Sequence, residues 1–297
     1  MATTHPPAIN PLPWILNDLG YRLDREVLTR AMAELHDVGY RHLTVEKPLE
    51  MSTADYRALL SDNGFAPAPG YFSGNFSDAD QHGALVESIK KHAALHAELG
   101  LDRAFIAEDI VPARLAVPAK GVGFDPERIA VIAEGMRLAA DAAAIEGVRY
   151  GLHPHVATGV ETEAEAREVL DRTAGSSLGF GPDTGHIAWA GGDPAALIAD
   201  YSTRVLSVHV KDVDNEAILA AARHGDDYLA ATNARKVWRE PGRGDVDWEG
   251  VLRALAPDFS GWFVVEVDVP FASTPAESAA QSLEFIRRVV SFEEVST

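Results

Sequence analysis

Cysteine is absent from the 297-residue chain. That excludes disulfides and thiolate metal sites, and it fits a cytoplasmic location. Positive charge is scarce: 26 Lys plus Arg stand against 45 Asp plus Glu, for a net charge of -19. An acidic surface repels phosphate backbones and anionic headgroups, so neither nucleic acid nor membrane is an expected partner. The same charge also serves solubility without any function. Long apolar runs are missing, and no uncharged stretch reaches the roughly 18 residues that span a bilayer. The first residues, Met1 to Pro7, lack a basic region followed by an apolar core, so no signal peptide is expected. The turn after the first apolar run, Leu16 to Gly20, contains no G-x-G-x-x-G. This discounts a Rossmann-type nucleotide site. No low-complexity tract or linker divides the chain.

What is present is an ordinary globular composition, 46% hydrophobic and 24% charged, ample for a large core. Short apolar runs alternate with helical patterns along the whole length. Ile9 to Trp14, His42 to Glu46, Phe65 to Tyr71, Ala104 to Ala107, Val148 to Leu152, Ser177 to Phe180, Val205 to Val208 and Trp262 to Val265 read as strands. Between them, Val27, Leu28, Ala31, Met32 and Leu35 show helical spacing. Asp125-Pro126 and Asp193-Pro194 are helix starts. Thr162 to Glu165 and Thr274 to Glu277 have the form of capping boxes. Eight strand-helix units predict a parallel sheet with helices outside. Their total length suits one closed (β/α)₈ barrel, a single domain over residues 1–297. Asn215 to Arg243 is longer and more polar than a helical connection needs. It reads as an insertion forming a lid or a contact in a homo-oligomer.

The barrel reading gives the polar residues a place, because active sites in such barrels lie at the C-terminal ends of the strands. The later strands end in His153 and His155, then Asp183 and His186, then His209 and Lys211, then Glu266 and Asp268. Taken alone, Asp183 is open between a helix cap and a site residue, since Asp and Gly are ordinary turn residues. Four successive strands ending in imidazoles and carboxylates favour a site. Such a nitrogen and oxygen donor set suits a divalent first-row metal, Mn²⁺ or Co²⁺ first, with Zn²⁺ and Mg²⁺ as alternatives.

Four stretches also resemble the xylose-isomerase-like barrels, and within them the inosose dehydratases (2-keto-myo-inositol dehydratases). Asn10-Pro-Leu-Pro-Trp14 with Asn17-Asp18 resembles their N-P-x-x-W-x-N-D. Asp183-Thr-Gly-His186 and Ala190-Gly-Gly-Asp-Pro194 resemble D-T-G-H and A-G-x-D-P. His209-Val-Lys-Asp-Val213 resembles H-x-K-D-V. Gly242 to Asp247 and Gly261 to Asp268 resemble the closing G-x-G-x-V-D and G-W-x-x-x-E-x-D. The resemblance implies a metal held by Asp183, His209 and Glu266. The fourth ligand, a Glu in the broad family, falls at His153 here, with Glu46, Glu108 and His155 as alternative helpers. It also implies that His186 touches substrate.

A metal beside a ketone oxygen acts as a Lewis acid and stabilises an enolate once a base has removed the α-proton. Protonating a β-hydroxyl then completes a dehydration, and returning the proton elsewhere gives isomerisation or epimerisation. Glu46, His155, His186 and Lys211 are the candidate acids, bases and hydroxyl contacts. Lys211 is open between catalysis and pairing with Asp212 or Glu266, and Glu46 between catalysis and a surface cap. Trp14, Phe72 and Trp189 each read first as packing. The expected activity is a metal-dependent lyase that dehydrates a keto-cyclitol or a related small polyhydroxylated keto substrate. The alternatives are a sugar isomerase or epimerase, or a lyase that eliminates a group β to a keto-sugar carbonyl.

Overall fold

The computed structural model describes residues 5–17 and 20–290. The barrel strands are β1 (Ala8–Ile9), β2 (His42–Thr44), β3 (Ala66–Ala68 continuing in Tyr71–Gly74), β4 (Arg103–Glu108), β5 (Arg149–Leu152), β6 (Gly179–Phe180), β7 (Ser207–Val210) and β8 (Trp262–Val265). All pair in parallel. Ile9 stands opposite both Val265 and Leu43, His42 opposite Ala66, Tyr71 opposite Phe105, and Arg103 opposite Arg149. Gly151 pairs with Gly179 and Ser207 with Trp262. Single parallel bridges, Phe180 to Val205 and Asp183 to His209, join β6 to β7 and complete the ring. β3 breaks at Pro69-Gly70, where proline has no N–H to give. There the Gly70 N–H donates to Nε2 of the buried His96 at 3.0 Å, so a helix side chain completes the ladder.

The helices begin where short polar side chains take up free N–H groups. Asp24 opens Arg25–Val38, which turns Val27, Leu28, Ala31, Met32 and Leu35 into the core. Asp125 with Pro126, Asp193 with Pro194, and the reciprocal Thr162–Glu165 box open three more. Thr274 caps Pro275–Val289, but the expected second box is only half formed. Glu277 reaches back to the backbone and hydroxyl of Ser273 instead of the Thr274 N–H. The first strand is also shorter than the apolar run suggests. Pro11 and Pro13 end it at Ile9, and Leu12–Ile15 is a helical turn.

The 215–243 segment is anchored to the rim. It contains a helix at Asn215–His224, a π-helical turn at Ala230–Ala234 and a strand at Trp238–Arg239. That strand pairs antiparallel with Asp212–Val213, immediately beyond β7. Asp212 collects the loop that follows, accepting hydrogen bonds from the N–H groups of Gly242, Gly244 and Val246 and from Trp248 Nε1. A Cβ on Gly244 would lie 2.4 Å from this carboxylate, which explains the glycine. No helix is long and apolar enough to cross a membrane among the described residues.

Candidate active site

β7 runs directly into the site. Side chains alternate along a strand, so His209 and Lys211 share one face and Asp212 takes the other. β8 repeats the pattern with Glu266 and Asp268. His209 Nδ1 lies 3.1 Å from Glu266 Oε2 and 3.7 Å from Asp183 Oδ2, and His153 Nε2 lies 3.8 Å from the same Asp183 oxygen. His153, Asp183 and His209 thus bring one ligand atom each within 4.8 Å of one another. Bonds of about 2.0–2.2 Å to one ion require donors packed about this closely.

The turn at Asp183 serves two purposes, one on each oxygen. Oδ1 accepts the His186 N–H at 2.8 Å and caps Thr184–Trp189. Oδ2 is buried and accepts no hydrogen bond among the described residues, and His209 Nδ1 is likewise without one. Buried polar atoms are normally hydrogen-bonded, so orphaned donors facing each other fit a cation. Thr184 fastens the turn to the next strand, its hydroxyl donating to Lys211 O at 2.6 Å. Gly185 does not have a positive φ. Space is the reason for the glycine: a Cβ there would meet Lys211 Cγ at 2.7 Å.

Lys211 is fully buried beneath the ligands. Its ammonium lies 2.6 Å from Asp268 Oδ1, 3.0 Å from Glu266 Oε1 and 3.3 Å from Asp183 Oδ2. Burial alone would lower its pKa, but the three carboxylates hold it well above the ordinary value. Burial raises Asp183, but Lys211 and His209 outweigh it and bring the carboxyl down to about 2. Glu266 is held low by the same cations against its burial. Burial raises Asp268 to about 6 in spite of Lys211. Against the burial of His209, Glu266 and Asp183 also raise its pKa. Once that proton is released, as a metal-bound imidazole requires, three carboxylates face one ammonium, a local charge of -3 + 1 = -2. A divalent cation balances it. The donor set and the charge both fit such an ion, with His153, Asp183, His209 and Glu266 to hold it.

Above these residues is a cavity of about 680 Å³, lined among others by Glu46, Tyr71, Glu108, His153, His155 and Glu266. Burial and the nearby Glu266 raise Glu46 to about 7. Burial also raises Glu108 to about 7, against hydrogen bonds from the Phe76 and Ser77 N–H groups. His155, half-buried, borders both this chamber and a second of about 630 Å³. Leu12 and Ile110 also line both, so the two are contiguous. The second chamber has largely apolar walls, including Leu115, Val156, Leu229, Val269 and Pro270. His155 Nδ1 lies 2.7 Å from Val156 O, and the Val156 N–H donates to His186 Nδ1 at 3.1 Å. A carbonyl only accepts, so His155 carries its proton on Nδ1 and Nε2 is left as an acceptor. The two imidazoles lie against each other, centroids 3.6 Å apart and planes tilted by 34°.

The sequence candidates are therefore brought to one rim, but in two layers. Glu46 and His155 line the chamber. His186 and Lys211 line neither chamber and lie behind the ligands, 3.1 Å from each other. Trp14 is core, donating to Glu34. Trp189 stacks on Tyr228, and Phe72 packs on Phe76. Asp18 lies outside the described residues. The candidate set omitted Asn10, whose Nδ2 donates to Glu266 Oε2 at 3.1 Å, and Tyr71, set edge-on to His153. It also omitted Tyr228, which donates to Asp268. Asn10 is the first residue of the N-P-x-x-W stretch, and that was the available signal.

A closed parallel barrel with imidazole and carboxylate donors on its C-terminal rim defines a narrow class. Residues 32–289 match the Xylose isomerase-like TIM barrel family, and the chain belongs to it. The rhizopine catabolism protein MocC of Rhizobium meliloti is 29% identical over 88% of this chain and 81% of its own length. The inosose dehydratase of Geobacillus thermodenitrificans (strain NG80-2) is 26% identical over 94% of this chain and 95% of its own. Among solved structures, a Xylose isomerase-like TIM barrel protein from Mycobacterium smegmatis in complex with magnesium superposes with a TM-score of 0.70 at 18% identity, covering 97% and 98% of the two chains. An IOLI protein with a bound zinc atom gives 0.68 at 17%, covering 97% and 99%. At these identities the structural likeness speaks for the fold. The inosose dehydratase among these relatives is an enzyme, and an enzyme is supported here.

Proposed function

We propose that the chain is a divalent-metal-dependent lyase that dehydrates a keto-cyclitol such as 2-keto-myo-inositol. The observation that carries this is three buried carboxylates around a single ammonium, beside facing atoms of Asp183 and His209 that have no hydrogen bond. The full-length similarity to inosose dehydratases supports the substrate class. A divalent ion held by His153, Asp183, His209 and Glu266 supplies Lewis-acid polarisation of a ketone. Mn²⁺ or Co²⁺ suits two imidazoles with two carboxylates.

The protein's own groups do the rest. Glu46, with a pKa of about 7, takes the α-proton when ionised. Glu108, also at about 7, is partly protonated at neutral pH and gives a proton to the departing β-hydroxyl, so the C–O bond breaks and water leaves. His155 presents Nε2 as a hydroxyl contact. Lys211 neutralises the ligand carboxylates from beneath, and His186 supports the wall that carries His155. Tyr71 closes one side of the chamber.

The contiguous apolar chamber favours one second reading, a lyase that eliminates a larger group β to a keto-sugar carbonyl. The test is incubation with Mn²⁺ and 2-keto-myo-inositol, followed by ultraviolet absorbance of the unsaturated diketone. Absorbance should grow with the wild type and fail to grow with Asp183→Asn and Glu266→Gln. Absorbance only from O-substituted keto-sugars selects the second reading. Turnover of ketoses without an unsaturated product replaces both with an isomerase or epimerase.

A further inference from the structure

Among the described residues three non-glycine residues have left-handed backbone, Lys236 (φ 57°), Ala119 (φ 63°) and Ala157 (φ 74°), and the last two share one holder. This conformation crowds a Cβ, and such residues persist only where their surroundings hold them. Both alanines are held by one atom. Oε2 of the buried Glu161 accepts the Ala157 N–H at 2.9 Å and the Ala119 N–H at 3.1 Å, while Oε1 accepts the Gly121 N–H at 2.7 Å. Arg114, fully buried, completes the clamp. It donates to Thr158 O and Val122 O, and to both oxygens of Glu165. The connection after β4 is thereby tied to the connection after β5.

What the clamp presents is Val156, whose carbonyl belongs to the peptide that Glu161 grips at the Ala157 N–H. That carbonyl accepts from His155 Nδ1, and the N–H of the same residue, in the preceding peptide, donates to His186 Nδ1. One residue thus contacts both imidazoles and sets the proton position on His155. It also lies in the wall between the two chambers, since His155 borders both and Val156 and Ala157 border the second. If Ala157 relaxed to an ordinary negative φ, the Val156–Ala157 peptide would rotate, releasing His155 and disturbing the adjoining Val156 N–H that holds His186.

We infer that Glu161 is a positioning residue for the active site, holding Ala157 left-handed so that Val156 fixes the tautomer of His155 and the orientation of both His155 and His186. The inference rests on the reading of this chamber as the catalytic one. Ala119 is the built-in control: the same carboxylate holds it, but it lies on the other connection and touches neither histidine.

The experiment is a cycle of Glu161→Gln with Ala157→Gly and with Ala119→Gly, in the full chain loaded with Mn²⁺ for kinetics and metal-free for ring ¹⁵N NMR. Glycine adopts positive φ without strain. Glu161→Gln should lower kcat by about 10- to 100-fold, as expected for a small misplacement of reacting groups, with KM changed less than about threefold. Ala157→Gly should restore most of that loss, and Ala119→Gly should not. The spectra need no substrate. In the wild type His155 should show one fixed tautomer, protonated on Nδ1. Glu161→Gln should show averaging, removed again by Ala157→Gly. Wild-type spectra without turnover of inosose would refute the dehydratase reading and leave the clamp standing. An unchanged His155 tautomer in Glu161→Gln, or equal rescue by both glycines, would overturn the clamp.

Discussion

Replacing Lys211 with methionine tests the charge balance of the site directly. The ammonium lies 2.6–3.3 Å from three buried carboxylates. At an effective dielectric of 20, each contact near 3 Å is worth about 5 kcal/mol of gross attraction, much of it offset by desolvation. Removing one member of a buried ion cluster costs about 3–5 kcal/mol net. In a chain of this length that is about 2 °C per kcal/mol, so Lys211→Met should melt about 6–10 °C lower in EDTA. Mn²⁺ should reverse the order of sensitivity. At about 100-fold its dissociation constant it adds about 2.7 kcal/mol to the wild type. The variant presents a charge of -3 rather than -2, so its gain should be larger. The assay is thermal denaturation of both proteins over a Mn²⁺ series. A Mn²⁺ shift in Lys211→Met no larger than that of the wild type, or a loss in EDTA under about 2 °C, would refute the reasoning.

Asp183→Asn keeps an oxygen for the helix cap, since Asn caps as well as Asp, but removes the ligand charge. In EDTA it should melt lower than the wild type but by less than Lys211→Met, since Lys211 keeps two of its three carboxylates, while Mn²⁺ affinity, read by calorimetry, falls about 100-fold or more. Glu46 must be ionised to act as a base, so kcat/KM should fall as pH drops through about 7. Glu46→Gln should abolish that limb and lower kcat by about 10²–10⁴-fold. Asp212→Ala leaves the Gly242, Gly244 and Val246 N–H groups and Trp248 Nε1 without their acceptor. A loss of about 3 kcal/mol, or about 6 °C, is expected. Metal content measured after gel filtration should be unchanged.

The alternation of strands and helices was legible because it depends on local periodicity, and the rim was legible because strand ends are ordered by the barrel itself. Glu266 and Asp268 show how far this goes: two residues apart on a strand, they share a face before any coordinates are known. Depth was not legible. Lys211 and His209 have the same two-residue relation, yet Lys211 turns beneath the ligands because Gly185 leaves room for it. Asn10 was hidden in the motif as a neutral residue 256 positions from the carboxylate it orients. Ala119 and Ala157 gave no signal at all, since alanine does not announce a left-handed backbone. That conformation is imposed by Glu161, which sits well inside a loop. Ile9 to Trp14 misled for a local reason, because apolar character outweighed two prolines.

Asp183 shows why this fold can build such a site from one short turn. Among the described residues β6 and β7 are joined by isolated bridges, one of them from Asp183 to His209. So short a ladder leaves the spacing of the candidate ligands to other bonds. The Asp183 Oδ1 cap fixes the aspartate against its own helix, and the Thr184 hydroxyl fixes that turn against the Lys211 carbonyl. Oδ2 is left over, aimed and desolvated. A carboxylate held by one oxygen cannot swing away to hydrate the other, so its burial without a hydrogen bond is sustained by the rest of the turn. The cap and the metal ligand are then not competing accounts of Asp183. The cap is what makes an orphaned, ion-ready oxygen structurally affordable, and Asp183→Asn in EDTA separates the two functions on one side chain.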